Sequence, residues 1–153
     1  MMQLVYALSE EFSRLRSFVF IDAIDEVTRF FDTASTVEEA LRLINTQASV
    51  IGIDGHTNYG SCLEQFCDRY GADLTSKSAV IILGDARNNY HASRADLLAG
   101  IRLKAGRLYW LNPEPVGYWN TGDSVIGEYM AYCDAVVECR NLRQLEGFVD
   151  LLA

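Results

Sequence analysis

Three segments of the chain carry the polar side chains best placed to do chemistry. The first is S-A-V-I-I-L-G-D-A-R-N-N-Y over residues 78–90, in which an apolar run ends at Asp85 and further polar residues follow. Its five consecutive apolar residues, Ala79 to Leu83, are typical of a parallel strand buried on both faces. Ligands bind in the crevice outside the carboxyl ends of such strands, so Asp85 is a candidate site residue.

The second polar segment is G-H-T-N-Y-G over residues 55–60, just before a helical stripe of apolar residues. A polar loop at the N-terminus of a helix suits oxygen ligands or anions. A third polar segment, residues 112–124, contains two prolines and cannot continue a strand. We expect all three loops on one rim of a parallel sheet, because strands alternate with amphipathic helices from residue 45 onward.

Hydrophobic spacing predicts the remaining elements. An opening helix is predicted from Leu4, Val5, Leu8, Phe12 and Leu15, and an antiparallel hairpin from Ser17 to Ile21 and Val27 to Phe31. Ser35 and Glu38 are placed as a capping box for the next helix. Further along, we expect helices over 63–70, 93–105 and 142–152, a short helix ending near residue 131, and strands over 107–111 and 135–137.

Composition bounds the class of protein. With 153 residues, half of them hydrophobic, the chain suits a single domain. The net charge of −8 disfavours nucleic acid as a partner, because phosphate contacts need clustered Lys and Arg. No apolar stretch is long enough for a membrane span, and the N-terminus lacks the basic-then-apolar order of a signal peptide, so we expect a cytoplasmic protein. The four cysteines form no C-x-x-C pair, so they indicate neither a zinc knuckle nor a redox motif.

The motifs taken together resemble a known family. G-H-T-N-Y-G, V-I-I-L-G-D-A-R-N-N-Y, L-Y-W-L-N-P-E-P, W-N-T-G-D-S and C-R-N-L-R-Q-L occur in an order and spacing similar to von Willebrand factor A (VWA) domains of the CoxE-like group. The resemblance runs over nearly the whole chain. It implies an α/β fold, a three-layer Rossmann-like VWA domain whose mostly parallel sheet has an antiparallel edge hairpin. Residues 1–153 would then form one partial VWA-like domain, truncated at its N-terminus, with the family's first strand missing. Two explanations are open: the sequence is a fragment of a longer protein, which we favour, or it is a natural VWA derivative that has lost metal binding.

The resemblance also implies a metal-ion-dependent adhesion site (MIDAS). Thr57 and Asp85 match the second and third ligand positions of that site, and Mg²⁺ or Mn²⁺ would be the ion because hard divalent cations prefer oxygen ligands. The first ligand motif, D-x-S-x-S, occurs nowhere in the chain, and the family's S-D-G is G-D-A here. We therefore expect metal binding to be weak or absent. Without metal, Thr57 would cap the helix and Asp85 would be a turn residue.

Several neighbours of these residues are candidates for contact with a partner protein. Arg87, Asn88 and Asn89 would either contact a partner's carboxylate or orient the loop, in which Asn favours left-handed turn conformations. Trp110 is expected in the core and Trp119 on the rim, since aromatic residues and arginine anchor interfaces. The predicted partner-binding set is His56, Asn58, Arg87, Asn88 and Trp119.

Two functions from different classes remain. The resemblance implies a non-enzymatic, protein-binding domain, an accessory factor that works with a MoxR-type AAA+ ATPase in metalloenzyme maturation or complex remodelling. Neither a Walker A loop nor G-x-G-x-x-G occurs, so the chain itself is not expected to be an ATPase. The alternative is a Mg²⁺-dependent hydrolase or phosphotransferase using Asp85. That enzyme needs a second carboxylate, for which Asp54 and Asp123 are the candidates.

Overall fold

The structure, a computed structural model, describes residues 14–50 and 56–152. The chain divides into two compact units, Met1–His56 and Thr57–Ala153, and each is described by itself. The predicted opening helix falls outside the described residues, apart from Leu15, which is not helical.

The described part of the first unit contains a hairpin and two helices. Strands β1 (Phe18–Phe20) and β2 (Ile24–Glu26) pair antiparallel, so the predicted hairpin is confirmed. Its second strand was placed wrongly: Val27 to Phe31 leads into helix α1 (Thr28–Thr33), and β2 lies in the segment expected to be the connection. The reason is packing, because Val27 and Phe30, three residues apart, share one helical face and form a buried cluster with Ile44.

Helix α2 (Val37–Gln47) begins one residue later than predicted. Thr36, not Ser35, is its N-cap, and the Thr36 side chain accepts a hydrogen bond from the backbone N–H of Glu39 at 3.2 Å. The Glu39 carboxylate in turn accepts from the backbone N–H of Ser35 at 2.9 Å. The pair that resembles a capping box is therefore Thr36 and Glu39, one position after the predicted pair of Ser35 and Glu38, and its return bond goes to the residue before the N-cap.

The second unit alternates strands and helices as the sequence predicts. Its helices are α3 (Tyr59–Tyr70), α4 (Ala95–Lys104), α5 (Ile126–Met130) and α6 (Leu142–Leu152), and its strands are β3 (Ala79–Leu83), β4 (Arg107–Asn112) and β5 (Ala135–Glu138). A turn of 3₁₀ helix, Val116–Tyr118, follows β4. Of the helices in the described residues, none combines the length and apolar composition needed to cross a bilayer.

The three strands form a parallel sheet in the order β3-β4-β5. The fold class is therefore confirmed as α/β, with a parallel three-stranded sheet and a small antiparallel hairpin. The expectation that Ala79 to Leu83 is buried on both faces is wrong: these residues are exposed or half-buried, whereas β4 is buried from Leu108 to Asn112. Strand position explains this, because β4 has a strand on each side while β3, among the described residues, pairs with β4 alone.

Trp110 lies at the centre of the second unit's core and is fully buried, as predicted. Its ring stacks on Tyr129 with a centroid distance of 4.8 Å and lies 5.5 Å from Tyr59. Its indole N–H donates to the carbonyl oxygen of Gly84 at 2.8 Å. The core residue of β4 thus supports the residue just before Asp85.

Candidate functional site

Because the strands are parallel, the loops after β3 and β4 leave the sheet at the same edge. We call this edge the candidate rim: residues 57–59 at the start of α3, residues 84–90 after β3, and residues 112–124 after β4. The backbone N–H of Gly84 donates to Leu111 at 3.0 Å, and the N–H of Val125 donates to Ala86 at 2.9 Å. The backbone N–H of Tyr59 donates to Asn88 Oδ1 at 2.7 Å, so the predicted convergence of the three loops is seen for the parts that the structure describes.

Asp85 follows β3 directly and is held by its neighbours. Its Oδ1 accepts from the backbone N–H of Arg87 at 2.9 Å and from the Tyr59 hydroxyl at 3.2 Å. The same hydroxyl accepts from the N–H of Ala86 at 3.2 Å. Burial and the nearby Asp85 carboxylate raise the pKa of Tyr59 well above its ordinary value, so its phenol remains a hydrogen-bond donor at neutral pH. Tyr59 therefore orients the Asp85 carboxylate.

The residues on either side of Asp85 are constrained, one by steric contact and the other by its backbone conformation. A Cβ on Gly84 would overlap the Tyr59 hydroxyl and lie 3.0 Å from the Tyr59 Cζ. Ala86 is fully buried and has a φ of 59°, in the left-handed region that residues with a Cβ rarely adopt. The position after the aspartate, where the family pattern has glycine, therefore keeps the left-handed conformation although alanine occupies it.

Arg87 joins the loop after β3 to the loop after β4. Its guanidinium donates to both carboxylate oxygens of Glu114, at 2.7 and 3.0 Å, and to Asp123 Oδ1 at 3.0 Å. Glu114 and Asp123 together raise the pKa of Arg87, which stays charged. Burial would raise the pKa of Asp123, but hydrogen bonds from Arg87 and the N–H of Asn89 outweigh it and hold that pKa below its ordinary value. The two loops are therefore cross-linked by paired charges.

Asn88 joins the same loop to helix α3. Its side chain is fully buried; Oδ1 accepts from the backbone N–H of Tyr59 at 2.7 Å, and Nδ2 donates to the carbonyl oxygens of His91 and Ala92 at 2.8 and 3.2 Å. The next residue, Asn89, has the left-handed φ of 48° that asparagine tolerates. The Asn88 side chain therefore orients the loop, and contact of this segment with a partner's carboxylate stays a prediction.

The other candidate residues occupy different positions. Thr57 lies on the candidate rim, where its carbonyl oxygen accepts from Asn89 Nδ2 at 2.9 Å. The helix cap expected of Thr57 comes instead from Asn58, whose Oδ1 accepts from the N–H of Ser61 at 3.0 Å. Trp119 is half-buried and donates to the carbonyl oxygen of Glu114 at 3.0 Å. His56 is exposed and is the last residue of the first unit.

A resident divalent cation would need several oxygen ligands from the described residues of this rim. Among them, no three His, Cys, Asp or Glu side chains come together as metal ligands do. Asp123, a candidate for a second carboxylate, accepts hydrogen bonds at both side-chain oxygens, from Arg87 and from the N–H of Asn89. Asp54, the other candidate, lies outside the described residues.

Sequence reasoning missed several residues of this site. Tyr59 and Glu114 lie inside the motifs G-H-T-N-Y-G and L-Y-W-L-N-P-E-P, but neither was singled out as a site residue: Tyr59 begins a helix, and Glu114 lies between two prolines after β4. The presence of polar or aromatic residues in loops that the sequence places on the rim was the signal that could have identified them as site residues. Their pairing with Asp85 and Arg87 spans 26 and 27 residues of chain, which no local pattern predicts.

A parallel sheet with a polar rim at its carboxyl edge defines the class of Rossmann-like α/β binding domains. A family model described as "VWA domain containing CoxE-like protein" matches residues 1–148. The chain therefore belongs to the CoxE-like VWA family. The search of curated proteins and the search of solved structures each found no match.

Proposed function

We propose that this chain is a non-enzymatic, protein-binding VWA domain that contacts its partner at the candidate rim. The observation that carries the proposal is the cross-linking of the rim. Arg87 ties the loop after β3 to Glu114 and Asp123, and Asn88 ties it to the start of α3. A surface held in place before binding loses less conformational entropy when a partner docks. The cross-links between the loops therefore favour the rim as a preorganised binding surface.

The partner that we propose is a MoxR-type AAA+ ATPase, which the chain would assist in maturing a metalloenzyme or remodelling a complex. The support is the chain's membership of the CoxE-like family together with the VWA domain's general use as an interaction module. We place the complex in the cytoplasm. In this proposal the chain supplies a docking surface, and nucleotide hydrolysis belongs to the partner.

A divalent cation would have only Thr57 and Asp85 as family-matching ligands, and two protein oxygens hold Mg²⁺ or Mn²⁺ weakly. Calorimetric titration with Mn²⁺ should therefore give no saturable binding tighter than about 10⁻⁴ M. A site of micromolar affinity that disappears in Asp85→Ala would show that the chain completes a metal site by itself.

The central test is direct binding. The chain, immobilised on a biosensor, is exposed to the MoxR-type ATPase encoded in the same genome. Asp85→Ala and Arg87→Met should each weaken binding at least about tenfold. Arg102→Met is the matched control, because Arg102 pairs with Asp134 at 2.8 Å near the start of β5, at the other end of the sheet. Circular dichroism confirms that each variant is folded.

Two outcomes would contradict the proposal. Equal affinity of the ATPase for the parent chain and for both rim variants would remove the rim from the interface. Mg²⁺-dependent turnover of p-nitrophenyl phosphate that is lost in Asp85→Ala would instead favour the hydrolase or phosphotransferase.

A further inference from the structure

Three apolar side chains on the candidate rim are largely exposed: Tyr90 at 86 %, Val116 at 57 % and Tyr118 at 60 %. We call them the Tyr90–Tyr118 surface. Single exposed apolar residues are common on proteins and need no explanation. Here, however, two aromatic residues and a valine lie on the two loops that Arg87 cross-links. Exposed aromatic residues on a rigid support are the usual anchors of protein interfaces.

The backbone of Tyr90 makes its exposure harder to explain by folding alone. Its φ is 61°, a left-handed conformation that residues with a Cβ avoid. Burial cannot compensate for this strain, because the side chain is almost fully exposed. The preceding residue fixes the conformation: Asn89 donates from its backbone N–H to Asp123 at 3.0 Å and from Nδ2 to Thr57 at 2.9 Å. The fold thus holds an aromatic ring in solvent at a conformational cost.

Tyr118 is attached to the same group of charges. Its carbonyl oxygen accepts from the Thr121 hydroxyl at 2.6 Å, and the carbonyl oxygen of Thr121 accepts from Arg87 at 3.2 Å. Val116 is fixed by its N–H, which donates to Glu138 at 3.0 Å. All three side chains of the surface are therefore supported by bonded loops and do not need to be ordered when a partner arrives.

The charges beside this surface select its partner. Asp85, Glu114 and Asp123 contribute three formal negative charges and Arg87 contributes one positive charge, so this group is net negative. The whole chain carries −8. Such a surface attracts cationic segments and repels acidic ones. Tyrosine rings also bind Lys and Arg through cation–π contacts.

We propose that the Tyr90–Tyr118 surface docks a protein segment that carries Lys or Arg among apolar side chains, and that this docking requires no metal ion. The inference rests on the proposed function and names the chemistry of the partner. It differs from the metal-bridged contact of the family's adhesion site, in which an acidic side chain of the partner completes the coordination of the ion. The sequence contains no D-x-S-x-S motif for such a bridge, and no three His, Cys, Asp or Glu side chains cluster among the described residues.

A random 12-residue phage-displayed peptide library, selected on the immobilised chain in EDTA, tests the proposal. We expect enriched peptides with net positive charge and apolar residues, bound more weakly as salt is raised. Synthetic copies of them should lose at least about tenfold in affinity for the double variant Tyr90→Asn, Tyr118→Ser. Leu103→Ser is the matched control, because Leu103 is 89 % exposed on helix α4 and should leave affinity unchanged.

Several results would overturn the inference. These are enrichment of acidic peptides, enrichment only when Mg²⁺ replaces EDTA, equal affinity for the parent and the double variant, and no enrichment at all. If the ATPase still binds the parent chain and loses affinity in Asp85→Ala, the proposed function stands and only this assignment of partner chemistry fails. Thermal unfolding of the same double variant, measured alongside, shows whether lost affinity comes from a lost fold.

Discussion

Replacing Asn88 by alanine removes a fully buried side chain that bonds to the backbone at three positions. The N–H of Tyr59 loses its acceptor at 2.7 Å, and Tyr59 is only 4 % exposed, so water cannot readily take over. A buried polar group left without a partner costs about 1–3 kcal/mol. The carbonyl groups of His91 and Ala92 belong to partly exposed residues and can be rehydrated more cheaply. We therefore expect Asn88→Ala to lower the free energy of unfolding by about 2–4 kcal/mol.

Urea unfolding followed by tryptophan fluorescence measures this change. Both tryptophans, Trp110 and Trp119, lie in the second unit, so the signal reports on the unit that contains Asn88. The control is Asn89→Gly, which removes one exposed hydrogen bond to Thr57 but keeps the left-handed conformation, and should cost less than about 1 kcal/mol.

Asn88→Asp adds a test of the geometry. A carboxylate still accepts from the N–H of Tyr59 but faces the carbonyl oxygens of His91 and Ala92, at 2.8 and 3.2 Å from the Nδ2 atom it replaces. Burial and this repulsion raise the folded-state pKa of the new carboxyl. The variant should therefore gain stability relative to the parent as pH falls through that raised pKa, since protonation removes the penalty. A loss below about 1 kcal/mol for Asn88→Ala would refute the reasoning, as would an Asn88→Asp variant whose stability relative to the parent is independent of pH.

Three further predictions concern the rim. Gly84→Ala should lower the free energy of unfolding by about 2–4 kcal/mol, because its Cβ overlaps the buried Tyr59 hydroxyl; an unchanged urea midpoint would contradict this. Tyr90→Asn should raise that free energy by up to about 1 kcal/mol, since asparagine tolerates the left-handed φ of 61° and little burial is lost; a clear loss of stability would show that Tyr90 supports the fold. Arg87→Met should cost about 1–2 kcal/mol after discounting for partial exposure. That cost should be constant near neutral pH and shrink in acid, because the lowered pKa of Asp123 gives stability that is lost as pH falls through it. A cost independent of pH down to about 2 would exclude the ion pair as its source.

The elements that the sequence predicts well are those with a strong local pattern. The apolar run at Ala79 to Leu83 and the helical stripe that starts near Leu63 both appear at the predicted places, since periodicity is a property of consecutive residues. The error at Val27 to Phe31 has the opposite cause. This β-branched and aromatic segment leads into a helix because its apolar residues pack against α2, and packing overrides local preference.

For the candidate rim, too, the sequence predicts the position of the loops but not the contacts of each side chain. The sequence predicts that the loops containing Thr57 and Asp85 lie on one rim of a parallel sheet, and the hydrogen bonds from Asn89 to Thr57 and from Tyr59 to Asp85 agree. The sequence left two roles open for Arg87 and Asn88, contact with a partner or orientation of the loop. The structure shows that Asn88 is buried inside the loop and that Arg87 bonds to two carboxylates of its own chain, while contact with a partner stays a prediction.

Residue order and composition were enough to establish the α/β class, the family resemblance and the loops that meet, because these depend on periodicity and on motifs read along the chain. Folding in three dimensions decided which strand is central and which carboxylates Arg87 holds. It also decided which aromatic rings remain in solvent. These features depend on contacts between residues about 27 to 36 positions apart, whose geometry is set only when the strands pair and the helices pack.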